Sequence, residues 1–140
     1  IAQGVGIAGT TSTKYDHPGL YEPNDYHYCG RNGNNQIVNF NDRYEVQFCE
    51  LVGLADLKTE SEYVRNTLAD YLDHLLDLGV AGFRLDSAKH VPAADFQAIF
   101  SRLNRQPKFV VSETFVGPGE PVQVQEYFPI GHVNFFDYAY

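Results

Sequence analysis

An α/β fold with a parallel sheet covered on both faces is what the sequence predicts, on three observations. The runs at 80–85 and 109–112 are apolar without polar alternation, as strands buried on both faces are. Apolar residues recur at helical spacing before the first run and again between the two. Strand, helix and strand in that order make a crossover, and a crossover joins parallel strands.

The elements follow in order. Residues 1–41 are dense in Gly, Asn, Pro and Tyr without a sustained period, so irregular loops and short strands are expected there. A boundary is expected near 56–59, dividing the chain into 1–57 and 58–140. Thr59-Glu60-Ser61-Glu62 has the order of a capping box, and Val64, Leu68, Tyr71, Leu72, Leu75 and Leu76 then line one helical face as far as Gly79, a helix-ending glycine. Residues 80–85 form the next strand. Residues 92–103 form a second helix with proline in its first turn, 109–112 a second strand, and 133–136 a further strand-like run.

Composition bounds the function. The 140 residues are 44% hydrophobic and hold ten Tyr and ten Phe, enough to build a core. Net charge is −8 with the ten basic residues dispersed, which argues against a nucleic-acid partner, since phosphates require a basic patch. No apolar run approaches the ~18 residues of a membrane-spanning helix. His17, His27, His74 and His132 show no zinc spacing and read as structural. Tyr15, Tyr21, Tyr26 and Tyr28 read as packing residues rather than sugar platforms. Cys29 and Cys49 flank a loop rich in Asn and Gly, and the residues alone leave a disulfide and two reduced thiols both open.

The chemistry sits at two strand ends. The first strand delivers Asp86 within Gly82 to His90, G-F-R-L-D-S-A-K-H, and the second delivers Glu113 within V-S-E-T. A pair of carboxylates on one rim of a parallel sheet suits glycoside hydrolysis, in which one acid protonates the leaving oxygen and an ionised partner stands beneath the anomeric carbon. Arg84 lies two positions before Asp86, hence on the same face, where a guanidinium keeps the carboxylate ionised. Asp137 is too close to Glu113 to supply a third acid.

These two motifs, together with L-V-G-L-A-D at 51–56, resemble the α-amylase family of glycoside hydrolases, in family order. Residues 63–78 are also similar to animal-type members, and the resemblance covers 44–127 well and the first forty residues loosely. It implies a partial (β/α)8 TIM barrel of about three βα units, preceded by the end of an irregular inserted domain. A complete barrel takes about 250 residues. The family's Asn-His and His-Asp motifs are absent, so the chain is expected to be an internal piece, inactive alone.

The resemblance further implies retaining endo-hydrolysis of α-1,4 bonds in starch, glycogen and malto-oligosaccharides by a secreted enzyme, monomeric when complete. Asp86 would be the nucleophile and Glu113 the acid/base, its proton affinity raised in an apolar, substrate-filled cleft. Arg84 would also help hold chloride. Lys89 would contact sugar hydroxyls beyond the cleavage point, and His90 would line the cleft with its ring. Calcium would take Asp56 and the backbone carbonyls of Gln47 and His90, with glutamine standing where relatives often carry arginine. The two cysteines would form a disulfide, Cys29–Cys49. The alternatives are an α-glucosidase or transglycosylase of the same family, sharing both acids, and a noncatalytic amylase-like binding protein, a kind of relative that usually loses them.

Overall fold

The computed structural model describes residues 4–5 and 11–134. Two short strands open it, β1 (Gly4–Val5) and β2 (Thr11–Ser12), paired antiparallel. After a 3-10 turn at Pro23–Asp25 come α1 (Arg43–Phe48) and α2 (Glu62–Asp77). The remainder runs β3 (Gly82–Leu85), a 3-10 turn at Ala88–His90, α3 (Ala93–Phe100), β4 (Phe109–Glu113), a 3-10 turn at Val124–Ile130 and β5 (His132–Asn134). The strands β3, β4 and β5 form a parallel sheet in sequential order, the arrangement of successive barrel strands. Phe135, Phe136 and Asp137 lie outside the described residues.

The predicted elements are present among the described residues, with β3 beginning at Gly82 and β4 running on to Glu113, and three helix ends differ for local reasons. No capping box forms before α2: Ser61 is the N-cap and makes no side-chain cap bond. The side chains expected to cap are drawn into long-range contacts, Thr59 Oγ1 donating to Asp95 at 2.9 Å and Glu60 meeting His27 Nε2 at 3.0 Å. At the far end α2 stops as expected, with Gly79 at φ +97°. The second helix ends at Phe100 rather than Leu103, because Arg102 and Leu103 donate to the carbonyls three residues back and tighten the last turn. Pro92 caps this helix instead of entering it.

Packing joins the first segment to the sheet. Ala69 and Leu76 of α2 meet Ile99, Phe100, Leu103 and Val110, so this helix and α3 cover one side of β4. Val64, one turn earlier in α2, sits instead with Tyr21, Tyr26 and Ala55. A third cluster sets Val46 of α1 against Ala88, Val122 and Tyr127. Tyr21 and Tyr26 are buried packing residues, and Tyr15 packs edge-on against Tyr26 with ring centroids 5.7 Å apart. Among the described residues no helix is long and apolar enough to cross a membrane.

Two devices stiffen the irregular segment. Cys29 and Cys49 form a disulfide with Cα atoms 5.2 Å apart, closing a 20-residue span and stabilising the fold by about 3 kcal/mol on loop-entropy grounds. The adjacent Glu50 is fully buried, and its carboxylate accepts from Lys14 Nζ and Gln36 Nε2, each at 2.7 Å, and from the Tyr15 hydroxyl. A buried carboxylate is tolerated only with such a full set of donors.

Gly82 pairs with Phe109 where both strands begin. A Cβ there would stand 2.5 Å from the Phe109 carbonyl oxygen, a backbone atom that cannot swing aside. Gly82→Ala should therefore destabilise the protein by roughly 1–3 kcal/mol, read as a lowered thermal midpoint. An unchanged midpoint would mean that β3 and β4 do not approach this closely.

Candidate active site

Parallel register sets the site. Leu85 of β3 pairs with Ser112 of β4, so the next residues, Asp86 and Glu113, leave neighbouring strands side by side at their C-terminal ends. Arg84 bridges them. Its Nη1 lies 2.6 Å from Asp86 Oδ1 and its Nη2 lies 3.0 Å from Glu113 Oε1. Beyond Asp86 the chain turns sharply through Ser87, which adopts the left-handed conformation at φ +48°, unusual for a residue with a side chain. That turn aims the Ser87 N–H at Glu113 Oε2, 3.1 Å away.

The electrostatics divide the two acids. Arg84, and after it the neighbouring Glu113, holds the Asp86 carboxyl below its ordinary range, so Asp86 is ionised at neutral pH. Asp86 is largely exposed, which screens the pairing. Glu113 is only 24% exposed, with polar partners on one side and, on the other, the cavity it lines with Phe40, Leu51 and Phe115. Its polar contacts include the Arg84 guanidinium, the Ser87 amide and a side-chain hydrogen bond with Asp86.

An open cavity of about 400 Å³ lies beside Glu113, large enough for a small ligand. Ser87, Lys89, His90, Glu113 and Glu120 line it, with Phe40, Leu51 and Phe115 as its apolar wall. Lys89 is buried and its ammonium pairs with Glu120 Oε2 at 2.7 Å, while the Phe40 and Phe115 ring centroids stand 5.6 and 5.7 Å away. The expectation that Lys89 contacts sugar thus meets a side chain already engaged by a carboxylate and two rings. His90 places Nδ1 2.8 Å from the Val46 carbonyl oxygen. Since a carbonyl only accepts, Nδ1 carries the proton, and burial keeps the ring neutral by lowering its pKa.

The residues considered for calcium come from three segments. Gln47 occupies the last turn of α1, where backbone carbonyls lack intrahelical partners, and the neighbouring Val46 carbonyl joins this turn to His90. Asp56 accepts from His27 Nδ1 at 2.8 Å, and the His27 N–H donates to the Asp56 carbonyl at 2.8 Å. Burial raises the Asp56 pKa against the opposing pull of His27, with Glu60 and Glu50 adding to the rise. A carboxylate and helix-end backbone carbonyls are the oxygen chemistry a hard cation takes, although the Asp56 carboxylate is already engaged by His27. Among the described residues no three His, Cys, Asp or Glu side chains gather as a metal cluster.

Arg84, Asp86, Glu113, Lys89 and His90 therefore share one rim, whereas Asp56 is held by His27. Glu120 and the two phenylalanines escaped the sequence reading. The available signal was a glutamate within G-P-G-E-P, a loop following a strand that ends in an acid, since barrel loops at that end carry function.

Comparison with known proteins assigns the lineage. The family described as Alpha amylase, catalytic domain, matches residues 24–128. An alpha-amylase of Thermomonospora curvata is 52% identical over 88% of this chain and 19% of its own length. Human alpha-amylase 2B is 38% identical over 94% of this chain and 30% of its own length. The crystal structure of alpha-amylase I from Eisenia fetida superposes with a TM-score of 0.86 at 34% identity, covering 94% of this chain and 29% of that one. The chain thus spans less than a third of the length of these relatives. With an in-register pair of strand-end acids bridged by one arginine, and a partial barrel sheet beneath them, the chain belongs to the alpha-amylase catalytic-domain family.

Proposed function

We propose that this chain is part of a secreted, retaining endo-acting α-amylase, with residues 1–57 ending the inserted domain and 58–140 contributing barrel units. The observation that carries the reading is the Arg84 bridge between Asp86 and Glu113 at adjacent strand ends. Retaining hydrolysis requires its two carboxyl groups close together, and a shared guanidinium keeps them so. A neutral α-1,4-glucan is the substrate class that suits an acidic chain without a basic patch, and the Eisenia fetida enzyme was solved as a mutant with maltohexaose.

In the reaction, the ionised Asp86 attacks the anomeric carbon as Glu113 delivers its proton to the glycosidic oxygen. The leaving chain departs and a glucosyl ester remains on Asp86. Glu113, now a carboxylate, takes a proton from water, and the oxygen of that water displaces Asp86 to restore the anomeric configuration. Arg84 keeps Asp86 ionised and both acids in register. Two of its nitrogens are committed to the acids, and its remaining donors suit chloride. Lys89 and Glu120 stand on the leaving-group side. Calcium bound by Asp56 and the carbonyls of Gln47 and His90 would tie the first segment to the barrel.

Two outcomes are expected in a complete enzyme carrying this segment. Asp86→Asn and Glu113→Gln each abolish starch hydrolysis, but on a glucosyl fluoride, whose leaving group needs little acid help, Glu113→Gln retains a detectable first step and Asp86→Asn does not. Identical behaviour of the two variants on the fluoride would show the roles to be misassigned.

Calcium binding to the native state should add roughly 3 kcal/mol of stability at a hundredfold excess over Kd. Chelator should accordingly lower the thermal midpoint, and Asp56→Asn should reproduce most of that loss. A midpoint indifferent to chelator would remove calcium from the account.

A further inference from the structure

The loop that follows β4 is built from residues that pair poorly with neighbouring backbone, among them Gly117, Pro118, Gly119 and Pro121. One backbone bond, from the Glu120 N–H to the Gly117 carbonyl at 3.3 Å, closes it, and side chains add to the hold. Glu120 accepts from the Gly117 N–H at 3.1 Å and from Lys89 Nζ at 2.7 Å, which fixes the carboxylate in the cavity that Glu113 also lines. Val122 is fully buried against Val46, Ala88 and Tyr127. A further attachment comes from outside the cavity. Arg43, the first residue of α1, donates through Nη1 to Glu126 Oε2 at 2.8 Å and through Nη2 to Glu126 Oε1 at 2.6 Å. The same Nη2 donates to the Pro121 carbonyl at 2.6 Å, one residue from Glu120.

This is a two-pronged guanidinium–carboxylate pair with a third, backbone, acceptor, a geometry that a lysine ammonium cannot reproduce. Glu126 is itself fixed, because its Oε1 also accepts from the Gln123 N–H at 2.7 Å. The helix that carries Arg43 is anchored at its other end, where its C-cap Cys49 is bonded to Cys29. A rigid helix therefore grips a Gly/Pro-rich loop immediately beside its one cavity-lining carboxylate.

We infer that Arg43 is a positioning residue, one that sets the leaving-group side of the cleft by clasping Glu126 and the Pro121 carbonyl and so fixing Glu120 and its partner Lys89. The inference rests on the proposed function and deepens it: the segment preceding the barrel, and not the barrel alone, determines how the departing malto-oligosaccharide is held.

The test compares two substrates in the complete enzyme carrying this segment, at a temperature well below every variant's melting point. Maltohexaose places sugars on both sides of the cleaved bond, whereas maltosyl fluoride leaves the departing side empty of sugar. Arg43→Ala should raise KM for maltohexaose about tenfold while leaving maltosyl fluoride turnover within about twofold of the unmodified enzyme. Arg43→Lys should recover only part of the loss. Glu126→Gln should resemble Arg43→Ala, and the double variant should be little worse than either single one, as partners in one contact are. An unchanged KM in Arg43→Ala, or an equal loss on both substrates, would overturn the clasp while leaving the proposed function standing. Failure of the unmodified enzyme to turn over maltosyl fluoride at all would overturn both.

Discussion

The parallel, in-register pairing of β3 with β4, closed at its C-terminal edge by Arg84, is the constraint on which the rest of this structure depends. Pairing Leu85 with Ser112 makes Asp86 and Glu113 neighbours without any contribution from loop conformation. Two carboxylates side by side repel unless a cation intervenes, and Arg84 supplies one that contacts both. The left-handed turn at Ser87 then brings a backbone donor to Glu113 and starts the turn that carries Lys89 and His90 into the same cavity. A one-residue slip between the strands would turn one acid to the opposite face and dissolve the site.

The first segment is built into the barrel and not merely joined to it. Residues of α2 divide between two clusters, Val64 with Tyr21 and Tyr26, and Ala69 and Leu76 with the sheet, so one helix serves both regions. Val46 and the Val46 carbonyl bring α1 against Ala88 and His90, directly behind the cleft. The disulfide and the buried Glu50 network stiffen α1 and its surroundings where regular structure is sparse. Movement of this segment would thus be felt at the rim through the Val46 carbonyl–His90 hydrogen bond, the Val46–Ala88 contact and the Arg43–Glu126 ion pair.

What was legible in the sequence follows from range. Buried strands announced themselves by unbroken apolar runs, α2 by its spacing and its terminal Gly79, and Arg84 with Asp86 by the two-residue period of a strand. Glu113 was legible because it ends such a run. The capping box at Thr59 failed because Asp95 and His27, both distant in sequence, compete for its side chains. The same limit hid the pairing of Lys89 with Glu120 and the clasp of Arg43 on Glu126. Neither partner stands at a helical or strand spacing from the other, and only the folded chain brings them together. The contact of Arg84 with Glu113 was hidden for the same reason, since the guanidinium reaches past Asp86 to an acid on the next strand.

The central claim is that one guanidinium keeps Asp86, the proposed nucleophile, ionised while holding both acids, and the pH profile of kcat/KM tests it most directly. Asp86 has a lowered native pKa, so its charged form persists as pH falls below the ordinary carboxylate range and is lost only when pH passes the lowered value. Arg84→Gln should move the acid limb of the profile upward, toward the ordinary carboxylate range. Arg84→Lys, which keeps a charge but not the fork, should leave the limb nearer its original position with a reduced rate. An acid limb that stays in place when the guanidinium is removed would contradict the account.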